Sequence, residues 1–251
     1  MTEKELTGIC SELAFMLIRY GAEIYRVEDT ISRICHAYGH EEAEIYSTPA
    51  NFIITVKDSE NNPITDSKSI SGRETNLDRV GSINELSRYI CSKKPSAEKI
   101  YKHIEEIKSR PVYSTPVKYI SYFVVGTAFA VFYGAWGLEA VFGGLLALLV
   151  RFIEGRLRSV KASTFLNTTV CSLAVSLLAV GLCRLGIVPR FDRMIIGAAM
   201  TMVPGVAMTN CMRDFISGDF ISGIYTMAEA LLTAAGMAVG AGSAVAAAIN
   251  L

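Results

Sequence analysis

Two apolar patterns share this chain, and they change over near residue 118. From Leu6 the positions Ile9, Cys10, Leu13, Leu17 and Tyr20 recur at intervals of three and four, one face of a helix, and Gly21 ends the run. Ile24, Val27, Ile31, Ile34 and Tyr38 make a second stripe, with Arg26, Glu28, Asp29 and Arg33 elsewhere on that helix and Gly39 as its stop. Ala43 to Thr48 and Asn51 to Lys57 are rich in Ile, Val, Thr, Tyr and Phe and read as short strands around Pro49, with a later turn at Asn61, Asn62 and Pro63. Leu77 to Ile90 and Ser96 to Ser109 return to helical spacing, the last with Ser96 as cap and Glu98/Lys102 and Glu106/Arg110 as i, i+4 pairs. Residues 1–110 thus read as a small α+β domain, and 111–118, with Pro111 and Pro116, as a linker.

Beyond the linker the apolar positions stop alternating with polar ones. Tyr119 to Leu138, Ala162 to Cys183, Met194 to Met212 and Ala230 to Leu251 are free of charge for twenty, twenty-two, nineteen and twenty-two residues, each enough to cross about 30 Å of hydrocarbon as a helix. A shorter run from Gly137 to about Ile153 carries Glu139 near its start. The expected fold class is an all-α membrane module of five spans, near 119–134, 137–153, 163–184, 194–213 and 219–248, behind a cytoplasmic α+β domain. Basic residues beside short loops (Lys118; Arg151, Arg156, Arg158 and Lys161; Arg213) put the N-terminus inside and the C-terminus outside, against the dissent of Arg184, Arg190 and Arg193.

Charge sharpens the contrast. Residues 1–118 hold sixteen of the 24 Lys and Arg and eighteen of the 24 Asp and Glu, leaving eight and six for the rest. The slightly acidic front, without a basic stripe, excludes a nucleic-acid binder. The six cysteines show no CxxC pair or zinc spacing, so neither a disulfide framework nor a metal centre is expected; His36 and His40 beside three glutamates read as surface residues around a helix end. Met1 to Glu5 leads into an amphipathic helix rather than a secretory signal. Nucleophile elbow, HExxH, Walker loop and dinucleotide fingerprint are all missing from the sequence, so an enzyme or an ATP-driven pump is not expected, and no cofactor is.

The candidate chemistry sits late in the chain, in MTMVPGVAMTNCMRDFISGD (Met200 to Asp219). Pro204 and Gly205 fall inside the fourth run, where proline removes a backbone donor and clashes with the preceding turn. Either the helix breaks there, exposing backbone groups and half-helix dipoles that transporters use to hold ions and anions, with Thr209 and Asn210 as added partners, or it only kinks. Arg213 and Asp214 close that run, Asp219 opens the next, and Glu229 is the residue whose placement matters most. If the last helix begins near Gly218, Glu229 lies deep enough in lipid to cost on the order of 3 kcal/mol; if it begins near Ala228, Glu229 stays at the headgroups. Gly236 and Gly240 form a GxxxG pattern for close helix packing, within this chain or against a second subunit.

Three stretches carry a resemblance to the threonine/serine exporter family over nearly the whole chain: GAEIYRVEDTI (Gly21 to Ile31), TNLDRVGSINEL (Thr75 to Leu86) and VPGVAMTNCMRDFISGDFISG (Val203 to Gly223) followed by Glu229-Ala230. The resemblance implies a cytoplasmic N-terminal domain, a five-span module, and export of small polar metabolites: threonine and serine in some members, succinate-like dicarboxylates in others. Long members carry a second membrane module, and split members place it on a separate protein. The chain therefore resembles the larger subunit of a split exporter of the bacterial inner membrane, expected to work with a small multi-span partner and possible as a homo-oligomer. The expected path residues are Pro204, Gly205, Thr209, Asn210, Arg213, Asp214, Asp219 and Glu229. The competing expectation is a membrane scaffold or sensor subunit without a transport path.

Overall fold

A computed structural model describes residues 1–111, 113–160 and 162–250. Val112 in the expected linker and Lys161, one of the basic residues behind the expected orientation, lie outside the described residues. Packing divides the chain into two units: Met1–Pro111 with Val206–Thr226, and Val112–Gly205 with Met227–Leu251. The linker at 111–118 is thus one division among several, because residues 206–226 join the front unit.

In the front unit, α1 (Glu3–Arg19) starts at a reciprocal cap, Glu5 N–H donating to Thr2 Oγ1 and Thr2 N–H to Glu5 Oε2. Its stripe of Leu6, Ile9, Leu13 and Leu17 is buried. It packs on α2 (Ile24–Ala37), whose Ile24, Val27, Ile31 and Ile34 are buried as their spacing requires, and on an antiparallel sheet of order β1-β2-β3. β2 (Asn51–Lys57) turns Phe52, Ile54 and Val56 inward, pairing with β1 (Glu44–Ser47) on one side and β3 (Pro63–Ser69) on the other. β3 escapes a sequence reading because Pro-Ile-Thr-Asp-Ser-Lys-Ser has no apolar alternation; no residue in it is fully buried, and pairing with β2 makes it a strand.

α3 (Leu77–Lys93) and α4 (Ala97–Ser109) complete the core with Ile83, Leu86, Ile90, Ile100 and Ile104. Two local expectations are corrected here. Ser96 has the extended backbone of an N-cap, but its side chain makes no capping bond. The Glu98/Lys102 and Glu106/Arg110 pairs do not close: Arg110 reaches instead across to α3, donating to Ser82 Oγ at 2.6 Å and lying 3.6 Å from Asp78, a partly buried site that offers more than an exposed pair on one helix.

The rear unit is helical. Among the described residues three helices are long and apolar enough to cross a membrane: α5 (Thr115–Phe132), α7 (Thr164–Arg184) and the Phe220–Ala248 part of α10 (Phe220–Asn250). α6 (Leu138–Ser159) has the length, but Arg151, Glu154, Arg156 and Arg158 crowd its second half, leaving eleven uncharged residues between Glu139 and Arg151, or about 16 Å. The expected fourth span is not one helix. α8 (Asp192–Ala199) has eight residues, about 12 Å, and α9 (Gly205–Ser217) restarts after Pro204, whose ring disfavours helical backbone at Val203. Of the two readings left open by the sequence, the structure shows the break.

Glycine decides how closely the rear helices approach. A Cβ on Gly126 of α5 would lie 2.5 Å from Ala147 Cβ of α6, and one on Gly197 of α8 would lie 2.6 Å from the Gly126 carbonyl. The GxxxG pair of α10 meets this chain's own α7: a Cβ on Gly236 would collide with Thr168 and one on Gly240 with the Thr169 carbonyl, while Ser172 Oγ donates to Met237 O at 2.8 Å. The dissenting arginines also have partners. Arg190 pairs with Asp192 at 2.8 Å, Arg193 with the buried Glu139 at 3.3 Å, and Arg184 donates to Ala248 O at the end of α10.

Candidate functional site

The three stretches that carry the resemblance, at 21–31, 75–86 and 203–223, come together in the front unit, the third from Val206 onward. Gly21 ends α1 with φ +87°, a left-handed conformation that glycine accepts without strain. Backbone bonds from Glu74 N–H to Arg19 O (2.8 Å) and from Asn76 N–H to Tyr20 O (3.0 Å) then lay the start of the second stretch along that turn, and Asn76 caps α3. Glu23, next after the turn, occupies the N-cap of α2 in extended backbone, yet its carboxylate makes no capping bond. It turns instead to the third stretch, where the Arg213 guanidinium of α9 pairs with it, and Arg26 Nε stands 4.0 Å away. Asn210 Nδ2, one turn before Arg213, donates to Gly21 O at 3.3 Å. A cavity of about 100 Å³ remains between Leu17, Gly21, Glu23, Asn84, Val206 and Asn210.

Asp214 lies beside this ion pair and is nearly inaccessible, at 2% exposure, with one carboxylate oxygen bonded to nothing among the described residues. Loss of hydration pushes its pKa up to about 6; the neighbouring carboxylates of Asp219 and Glu23 push the same way, and Arg73 opposes them. It lies outside the three membrane-length helices, on the short α9. A carboxyl titrating near neutrality, next to a salt bridge, can take up and release a proton without being fixed in either state.

The other expected residues separate from this cluster or take structural parts. Asp219 caps α10: Gly218, with φ +89°, ends α9, and Asp219 Oδ1 accepts from Ser222 N–H at 3.1 Å. Gly223 makes room for the Phe215 ring, which a Cβ there would meet at 2.6 Å. Pro204 and Gly205 mark both the break and the boundary between units, and Thr209 is exposed. Glu229 belongs to the rear unit, nine residues after the start of α10, and is exposed on the chain's surface. α10 begins at Phe220, near Gly218 rather than near Ala228. Sequence reasoning missed Glu23 and Arg73. For Glu23 a signal existed, an acid at a helix start inside a resembling stretch; Arg73 had none.

The family to which the chain is matched places it among membrane transporters. The putative threonine/serine exporter family matches it over residues 8–249, and the chain belongs to that family. A curated relative from Klebsiella aerogenes, named a probable succinate transporter subunit, YjjP, is 23% identical over 240 residues, 92% of this chain and 89% of that protein. No solved structure matches significantly.

Proposed function

We propose that the chain is the larger subunit of a secondary exporter that moves a small carboxylate-bearing metabolite, threonine, serine or a succinate-like dicarboxylate, out of the cytoplasm of a bacterium, with a small multi-span partner. Its N-terminus is inside and its C-terminus outside. The front unit faces the cytosol, and Arg213 draws the substrate carboxylate there by competing with Glu23 for the same guanidinium. Proton exchange at Asp214 or Glu229 couples outward movement to an ion gradient. The observation that carries this reading is the buried, near-neutral Asp214 beside the Glu23–Arg213 pair, where the stretches that carry the resemblance meet. The relative's description as a subunit supports the partner.

Efflux of threonine, serine and succinate from proteoliposomes under imposed pH gradients, with and without the partner, tests it. The expected result is gradient-dependent efflux of one of them that falls at least tenfold in Asp214→Asn or Glu229→Gln. Full coupling in both variants removes the proton role, and no efflux of any of the three with the partner present removes the export reading. The scaffold alternative predicts that cysteines placed along Val203 to Arg213 stay protected from reagents on both sides of the membrane.

A further inference from the structure

A larger cavity, whose lining includes none of Glu23, Arg213 and Asp214, lies on the front unit. It is an open groove of about 870 Å³ between α2 and α3, within the range of small-molecule sites. Its residues fall at three and four along both helices, positions 26, 30, 33 and 37 on α2 and 84, 88 and 91 on α3, so each helix turns one continuous face to it. Between two packed helices such faces normally interlock through large apolar side chains. Here Thr30, Ala37, Ser87 and Cys91 are too short to meet, and the gap stays open.

The rim has one chemistry. Arg26, Arg33, Arg88 and His36 face the groove against a single carboxylate, Asp29, which Arg33 holds at 2.9 Å. Arg88 and His36 make no hydrogen bond or ion pair among the described residues. In a front half with more acids than bases, three guanidiniums around one gap are a local reversal of charge. All three strong cations are arginines, whose planar fork binds a carboxylate or phosphate through two parallel hydrogen bonds.

We propose that this groove binds a small soluble polyanion, a metabolite bearing two or more carboxylate or phosphate groups, at a site separate from the Glu23–Arg213–Asp214 cluster. Arg33 and Arg88 grip it from opposite helices, and the Asn84 amide adds a donor from the floor. Arg26 and Asn84 also line the cavity at Glu23, so the bound anion competes with Glu23 for Arg26.

The test uses the full chain in phosphatidylcholine nanodiscs, with inorganic pyrophosphate and citrate as probes. One readout is equilibrium binding. The other is the rate of maleimide reaction at Cys91, inside the groove, in a Cys183→Ser background. Saturable binding with a Kd below about 1 mM and matching protection of Cys91 are expected. Arg88→Gln and Arg33→Gln should each weaken binding about tenfold or more, and Asp29→Asn should tighten it, with the melting temperature unchanged because these side chains are exposed. Binding that ignores both arginine variants, or that does not saturate by about 10 mM, overturns the proposal. So does protection of Cys91 by phosphatidylglycerol discs alone with nothing added by pyrophosphate, which would make the occupant a lipid headgroup. Neither readout depends on transport, so a failed efflux assay leaves this result independent.

Discussion

The two units bury opposite kinds of side chain. In Met1–Pro111 the fully enclosed residues are mostly large: Leu13, Ile31, Phe52, Ile83 and Ile104 lie at or below 1% exposure, with Cys10, Ser11 and Ala14 among them. In the rear unit the enclosed positions are mostly small, Ala147, Ser176, Ala179, Ala198 and Cys171, while Phe132, Trp136, Leu177, Leu178 and Leu231 point outward. Water drives large apolar groups inside, because removing their surface from it is the main favourable contribution to folding. Lipid exerts no such drive, and helices there associate through close backbone approach and interhelical hydrogen bonds, which small residues permit. The contrast is one between Met1–Pro111 and the rear unit, since residues 206–226 of the front unit also turn large apolar side chains such as Ile216, Phe220 and Ile224 outward.

The most damaging test of this contrast is Gly197→Leu. Its side chain would enter space held by the Gly126 carbonyl and Ala130, and no rotamer avoids them. The variant should give little monodisperse protein on size exclusion in detergent, whereas Gly242→Leu, whose Cβ meets nothing within 4 Å, should behave as wild type. Equal behaviour of the two would mean that glycine proximity does not hold the rear unit together.

A smaller effect separates the two solvents directly. Leu13→Ala in the front core should cost about 3 kcal/mol, read as a lowered unfolding midpoint, and Leu178→Ala on the outward face of α7 less than about 0.5 kcal/mol in lipid. A Leu178→Ala cost as large as that of Leu13→Ala would show that the outward face is packed against something other than lipid.

The smallest effect tests Asp214. Its folded pKa of about 6 lies above the ordinary value of 3.8, so the stability linked to its neutral form is complete below about pH 4 and is lost as the pH rises through 6. Above that, the wild type carries the cost of a buried charge. Asp214→Asn should raise the unfolding free energy by about 1–2 kcal/mol at pH 8, allowing for partial hydration, and leave it unchanged at pH 4. A gain that does not vary with pH would assign the effect to packing rather than to ionisation.

Residues whose surroundings are local were legible beforehand. The stripes of α1 and α2, the alternation of β2 and the stop at Gly21 follow from period and propensity, since each depends on neighbours within a few positions. The interruption at Pro204 was one of two readings, and helix length chose between them. β3 was hidden because a polar edge strand has no pattern of its own until a partner supplies its hydrogen bonds. The GxxxG face was visible, but its occupant was not: which helix fits against Gly236 and Gly240 is decided by the fold. Of the candidate cluster, Asn210, Arg213 and Asp214 were named from position, whereas Glu23 and Arg73 join them only through a turn and a chain return.

The order of residues by itself determined the buried stripes of α1 and α2, the long apolar runs that become α5, α7 and α10, and that Pro204 must disturb a helix, because these depend on transfer energies and backbone sterics written into short stretches. Only the tertiary structure decided that residues 206–226 pack with the front unit, that Glu23 abandons its helix cap for Arg213, and that Asp214 is buried beside them. Those outcomes depend on desolvation and charge pairing between groups up to 190 positions apart, which no local pattern encodes.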